Sequence, residues 1–275
     1  FIYCTRSKLM KNSEDLKELR VKIIKSIQNT DSGHLGPSFS CLEILYVIIK
    51  KFINFRKKDR NKIILSKGHA APAIYAIFDH LNLLKKNELK TLRRFNSRLQ
   101  GHPDKKKLKI LDFGTGALGQ GLSVSIGYSL SSKLLNKKNF IFCLLGDGEL
   151  QEGQIWEAAM YIGSKKIKNI VTFIDGNKFQ NEFSIKDTLK EENLKGKWES
   201  FGFKYLETDG HSIKKLEKII KDITNYKYKK PVVVYCNTTK GKGVSFMEGN
   251  NKYHSVKKLP LNEFNKALKE LNEYE

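Results

Sequence analysis

Residues 140–153 read FIFCLLGDGELQEG: an unbroken apolar run, Phe140–Leu145, stops at Gly146, and Asp147 follows between two glycines. A run of that length and composition marks a buried strand. Gly-Asp-Gly after it can be no more than a tight turn, since glycine supplies positive φ and aspartate bonds its own backbone. The residues downstream decide between a turn and a site.

From Asn139 onward strands and helices alternate. Phe140–Leu145, Asn169–Ile174, Phe203–Thr208 and Pro231–Asn237 read as strands, and Gly153–Ser164 and Ile213–Thr224 as helices. That alternation predicts an α/β fold, a parallel sheet flanked by helices on both faces. Upstream, helical spacing covers Glu14–Gln28, a second helix Ser40–Phe52, and a third the stretch ending near Leu84. A short strand, Lys62–Leu65, comes between, residues 100–120 look irregular, and helix resumes over Leu118–Leu135. The amphipathic stretch Leu261–Leu271 closes the chain. With no linker or repeat, residues 1–275 are expected to form one domain with a helical tail over 258–275.

In an open parallel sheet, ligands sit at the carboxyl ends of the strands. Asp147 and the segment Asp175-Gly176-Asn177 both lie at such ends, one helical crossover apart, so neighbouring strands would set them side by side. Asp147 and Asn177 then offer two hard oxygen ligands. A carbonyl of the same loop and two phosphate oxygens would complete an octahedron around Mg²⁺, with Ca²⁺ or Mn²⁺ as alternatives. Gly148, lacking a side chain, lets backbone N–H groups approach a phosphate. Histidines add to the picture: His34, His69 and His102 each follow a glycine in irregular loops, a setting that suits proton handling near neutral pH. His211 and His80, at a helix start and within a helix, read as structural.

The chain carries 51 Lys and Arg against 29 Asp and Glu, a net charge of +22. A nucleic-acid partner is the first reading of such a charge. Yet 44 of these residues are lysine and only 7 arginine, spread over every segment. Arginine is the usual reader of phosphates and bases, so no nucleic acid is expected, and the excess favours anionic small molecules. No apolar run approaches the ~18 residues of a membrane span. The opening FIYCTRSKLMKN has no apolar h-region, so no secretory signal is expected, while the missing initiator Met leaves room for truncation or processing. Cys4, Cys41, Cys143 and Cys236 show no CxxC spacing, which fits a reducing cytoplasm without disulfides or a zinc site.

Gly114-Thr-Gly116-Ala-Leu-Gly119 also spells GxGxxG, but a nicotinamide site needs an acid about 20 residues on. The next acid here is Asp147, already in the GDG turn. Lys240-Gly-Lys242-Gly243 lacks the spacing of a phosphate-binding Walker loop.

The strand–GDG–helix–strand–Asn arrangement resembles the thiamin-diphosphate motif, and the chain as a whole resembles the N-terminal half of transketolase, above all the separate N-terminal subunit of split transketolases. Matching elements run in order from residue 32 to 254: SGHLG, LSKGHAAPA, SRLQGHPD, TGALGQGLS, LLGDGELQEGQIWEAAM, DGNKFQ, DGH and KGKGVSFME–YH. The resemblance implies a thiamin-diphosphate-binding fold. It implies that Asp147, Asn177 and the carbonyl of Phe179 hold the metal, and that His69, Gly148 and His254 contact the diphosphate. Gly116 and Leu118 would lie against the pyrimidine and thiazolium region, and Glu152 would join a carboxylate network at a subunit contact. His34 and His102 would face the hydroxyls of a sugar phosphate. The reaction implied is transfer of a two-carbon glycolaldehyde unit from a ketose phosphate to an aldose phosphate, in the non-oxidative pentose phosphate pathway. Departures are Ala117, where proline is common, and Tyr253, where tryptophan is frequent. Deoxyxylulose-phosphate synthase and dehydrogenase E1 components share the cofactor motif, but the three histidines and LQGHPD favour transketolase. A basic nucleic-acid-binding protein on the same scaffold is the non-enzymatic alternative. In the family the pyrimidine pocket and its glutamate lie in the next domain. The resemblance therefore implies a C-terminal partner subunit, with an expected stoichiometry of α₂β₂.

Overall fold

The computed structural model describes residues 2–30, 32–181, 183–189 and 192–273, with side chains between residues 12 and 272; Cys4 lies outside the described side chains. In chain order the elements are α1 (Ile2–Gln28), α2 (Leu35–Ser40), α3 (Leu42–Val47), β1 (Lys62–Leu65), α4 (Ala71–His80), α5 (Gln120–Leu134), β2 (Ile141–Gly146), α6 (Gly153–Ser164), β3 (Ile170–Gly176), β4 (Phe179–Gln180), β5 (Phe183–Ser184), α7 (Ile185–Thr188), α8 (Leu194–Ser200), β6 (Lys204–Asp209), α9 (Ile213–Thr224), β7 (Val232–Asn237) and α10 (Leu261–Glu273).

Five strands make one parallel sheet in the order β1-β2-β3-β7-β6, and β4 and β5 form a small antiparallel hairpin. Strands β2 and β3 are buried along their whole length. The reason is in their alternation, since both faces are covered and both parities must be apolar. Phe142, Leu144, Phe173 and Val234 face a core shared with α1–α4, α9 and α10. Ile141, Cys143, Leu145 and Val233 face a second core built with α5, α6 and Trp198 of α8.

The expected elements are present, with three differences of physical interest. The helix expected over 40–52 begins earlier and is broken. The side chains of Ser40 and Cys41 bond back to the Pro37 carbonyl at 3.1 and 3.3 Å, and Cys41 leaves helical backbone before α3 starts. Such local side-chain bonds compete with the helix ladder. Beyond α3, Ile48–Phe52 continues as a wider π-helical turn. The helix expected to reach Leu84 stops at His80, with Asn82 in left-handed backbone. Third, α7, α8 and the β4–β5 hairpin carry too few residues to show a period.

The irregular segment before α5 lies along the free edge of β1. Asp112 accepts the Ile63 amide at 3.0 Å and two nitrogens of Arg60, and Thr115 Oγ1 donates to the Leu65 carbonyl at 2.7 Å.

Two helical glycines make a controlled test of this packing. A Cβ on Gly163 of α6 would lie 1.6 Å from the Phe201 carbonyl oxygen, whereas one on Gly127 of α5 meets nothing within 4 Å. Gly127→Ala should gain about 0.5–1 kcal/mol from helix propensity. Gly163→Ala should instead lose about 2–3 kcal/mol through overpacking. Urea unfolding of both variants checks this; equal shifts would mean that α6 does not pack on the Phe201 turn as described.

Candidate functional site

Adjacent pairing of β2 and β3 brings their carboxyl ends together: Gly146 is in register with Asp175, and the Asp147 amide donates to the Asp175 carbonyl at 3.2 Å. Asp147 and Asn177 thus stand on neighbouring turns. Both are nearly buried. The Asp147 carboxylate accepts the amides of Gly148 and Lys178. Burial and, next, the nearby Asp175 carboxylate push its carboxyl up to about 7. Asn177 donates from Nδ2 to Asp175 at 3.1 Å and to Ser40 at 3.3 Å, and its Oδ1 accepts the Phe179 amide at 3.0 Å.

Asp175 is the hub beneath them. Fully buried, it takes the Lys67 ammonium, the Ser40 hydroxyl and the Asn177 amide on one oxygen and the Thr238 hydroxyl on the other. Burial alone would lower the Lys67 pKa; Asp175 outweighs it and raises it to about 12.

Above this floor opens a cavity of about 550 Å³, lined among others by His34, His69, His102, Gly116, Leu118, Asp147, Gly148, Glu152, Asn177, Phe179, Lys240 and His254. The four imidazoles cluster, with ring centroids of His34 at 5.4, 5.9 and 5.5 Å from those of His69, His102 and His254, and His69 stacked on His254 at 5.5 Å. His34, His69 and His102 are expected to titrate near neutrality, but all four rings are shifted away from it. Burial, with His102, Arg93, Lys67 and Lys240 adding, lowers His34 to about 4. Burial and then Lys240 lower His254 to about 3; His69 and His102 are lowered too, by burial and then by Lys67 and Arg93 respectively. At neutral pH they are uncharged donors and acceptors. His34 Nδ1 is buried without a hydrogen-bond partner among the described residues, a group that asks for one.

Gly148 has a packing reason besides the expected one: a Cβ there would come within 2.7 Å of Gln180 Cβ, and its N–H donates to Asp147. Glu152 is exposed at the cavity rim. The buried acid of that loop is Glu149, which accepts from Ser66, the Gly119 amide at 2.8 Å and the Gly146 amide at 3.0 Å. Sequence reasoning does not single out Glu149, Lys67, Asp175 or Lys240. Lys67 and Lys240 give a signal all the same, each a lysine directly before a glycine and close to an apolar strand end. Lys240, with about 1% exposure, donates to Asn251 Oδ1 at 2.7 Å, to the Asn181 carbonyl at 3.2 Å and lies 3.0 Å from His254 Nδ1. His211 and His80 stay outside the cavity, on Glu43 and on Asp15 and Glu18.

Residues 11–270 match the family described as transketolase, thiamine diphosphate binding domain. The chain is 33% identical over 260 residues to one subunit of the apulose-4-phosphate transketolase of Phocaeicola vulgatus, covering 92% of this chain and 91% of that one. It is 33% identical over 244 residues to a 6-deoxy-6-sulfo-D-fructose transketolase subunit of Clostridium sp., covering 87% and 88%. Against human transketolase it is 31% identical over 272 residues, 97% of this chain but 43% of that protein. The crystal structure of Campylobacter jejuni transketolase superposes with a TM-score of 0.84 at 28% identity, again over 94% of this chain and 43% of that one. This chain therefore spans about two fifths of full-length transketolases and nearly all of the separate subunits. With the fold, the paired strand ends and the match over residues 11–270 in agreement, the chain belongs to the transketolase family, as its thiamine-diphosphate-binding domain.

Proposed function

We propose that this chain is the N-terminal subunit of a split transketolase, moving a two-carbon glycolaldehyde unit from a ketose phosphate to an aldose phosphate. The observation that carries the reading is the pairing of Asp147 and Asn177 at adjacent strand ends, facing a cavity walled by four uncharged histidines. The donor set suits a hard cation. A carboxylate and an amide oxygen are present, and the Phe179 carbonyl lies two residues past Asn177. Asp147, Asn177 and the Phe179 carbonyl would hold the ion, and a bound diphosphate would supply further oxygen ligands. Mg²⁺ suits it best, with Ca²⁺ or Mn²⁺ as substitutes. Thiamin diphosphate, when bound, supplies the nucleophilic carbon and the electron sink for the two-carbon unit.

The chain's own residues bind and orient. His69, His254 and the Gly148 loop hold the diphosphate end, while Gly116 and Leu118 wall the heterocycles. His34, with its unpartnered Nδ1, and His102 donate and accept hydrogen bonds with the hydroxyls of the ketose. Glu152, exposed at the rim, meets the partner. The partner is a C-terminal transketolase subunit in an α₂β₂ assembly, a reading supported by relatives whose names make them single subunits of transketolases. It is supported too by Leu130 and Leu134 on α5 and Met160 on α6, which face solvent in the single chain. Residues 1–275 act as one domain, its α10 tail anchored through Ala267 and Leu271. Among the described residues no helix is long and apolar enough to cross a membrane, and the three described cysteines are buried and free. We infer a cytoplasmic enzyme of the pentose phosphate pathway. Its relatives' names, which specify apulose 4-phosphate and 6-deoxy-6-sulfofructose, make the ketose the first thing to measure.

Asp147→Ala should abolish Mg²⁺-dependent thiamin-diphosphate binding in calorimetry while the circular dichroism spectrum stays unchanged; normal affinity would sink the metal assignment. His102→Ala should cut turnover of ketose phosphates by about 10²-fold at nearly unchanged cofactor affinity, whereas His69→Ala should weaken the cofactor itself. Loss of cofactor affinity alone in both would contradict this division. Finally, xylulose 5-phosphate and ribose 5-phosphate should turn over only when a C-terminal subunit is added; robust turnover by the 275-residue chain alone would refute the split reading.

A further inference from the structure

The loop after β7 carries Lys240 and runs on to His254, two walls of the cavity, and it is moored from outside by buried charges. Arg20 of α1 pairs with Glu43 of α3 at 2.5 Å and donates from Nε to the Lys242 carbonyl at 2.8 Å. Glu43 meets His211 Nδ1 at 3.1 Å, and the Thr239 amide donates to His211 Nε2 at 2.8 Å. An amide N–H cannot accept, so Nε2 is unprotonated and the ring proton sits on Nδ1, donated to Glu43. The loop has little slack to drift. Gly243, at φ +94°, presses on Arg20 so closely that a Cβ would fall 3.0 Å from its Nε, and the Gly241 amide reaches the Gly36 carbonyl at 3.2 Å. From Thr239 the next residue is Lys240, whose ammonium touches His254.

We propose that His211 is a positioning residue for the cofactor wall: locked by Glu43 as its Nδ1–H tautomer, it holds the backbone at Thr239 and through it Lys240 and His254. This rests on the function proposed above only for its effect on cofactor. Outer partners that orient metal-ligating side chains contribute about 10–100-fold to metal affinity or activity, and His211 stands in the same outer relation to Lys240 and His254.

The test uses His211→Phe, which keeps a ring but loses both bonds, His211→Gln, which keeps an acceptor for Thr239, and His80→Phe as a control. His80 also bridges acids, Asp15 and Glu18 of α1. In ¹⁵N-histidine spectra of the ligand-free full chain, His211 should give the Nδ1–H signature, and His211→Phe should displace the His254 signals while His80→Phe leaves them in place. In the assembled enzyme, His211→Phe should weaken thiamin diphosphate with Mg²⁺ about tenfold. His211→Gln should recover part of that loss, and His80→Phe should leave affinity unchanged even where it lowers the melting temperature as much. Unmoved His254 signals, an Nε2–H tautomer, an unchanged affinity in His211→Phe, or an equal loss in His80→Phe would each overturn the proposal. If His254 moves as expected but the wild-type enzyme binds no thiamin diphosphate, the positioning stands and the proposed function falls.

Discussion

The ion pair between Lys67 and Asp175 is the constraint on which the site depends. Neither side chain reaches solvent, and Asp175 gathers donors from four places: the turn after β1, α2, the turn after β3 and the segment after β7. Buried ion pairs are weak evidence of net stability, because desolvation offsets their attraction, but removing one partner strands the other at a cost of about 3–5 kcal/mol. This pair fixes direction. With Asp175 occupied by donors, the Asn177 amide must turn its nitrogen down and its oxygen up, and the Asp147 carboxylate stays close to a second negative charge. Burial, and after it that proximity, pushes the Asp147 carboxyl up.

Burial first, and nearby cations after it, explain the imidazoles. Every ring loses hydration in the cavity, and Lys67 and Lys240 lie near His34 and His254, Lys67 near His69 and Arg93 near His102, so protonating any of them would add charge beside charge in a poorly solvated space. The wall is therefore neutral above a base where Lys67 is paired with Asp175 and Lys240 stands beside His254. Such a surface can receive an anionic group at the lysine level and read hydroxyls with neutral nitrogens higher up.

The sheet and the paired carboxyl ends of β2 and β3 are legible in the sequence because their signals are local and redundant: an unbroken apolar run, a glycine-bounded acid, one crossover, then Asn177. Three of the clustered histidines are legible through their glycines, and His254 only through the family resemblance. Asp175 is in view but without a role, since what makes it a hub is its contact with Lys67 and Ser40, 108 and 135 residues away. Glu149 is passed over for Glu152 because both are acids on the same short loop. Only the turn geometry decides which one points inward, to the amides of Gly119 and Gly146. The break between α2 and α3 is hidden for a related reason, being made by hydroxyl and thiol bonds to Pro37 rather than by any shift in the apolar period.

Strand β1 is the sheet's outer member, four residues long and almost wholly apolar, the kind of edge that recruits a foreign strand unless something covers it. Asp112 and Thr115 occupy two of its outward backbone groups, the Ile63 amide and the Leu65 carbonyl, and the same few residues lead straight to Gly116 and Leu118 in the cavity. Guarding the edge and shaping the cavity are thus duties of one piece of chain. Anything that loosens the cavity wall there also bares a sticky margin, so loss of ligand-binding order and self-association are coupled hazards in this molecule.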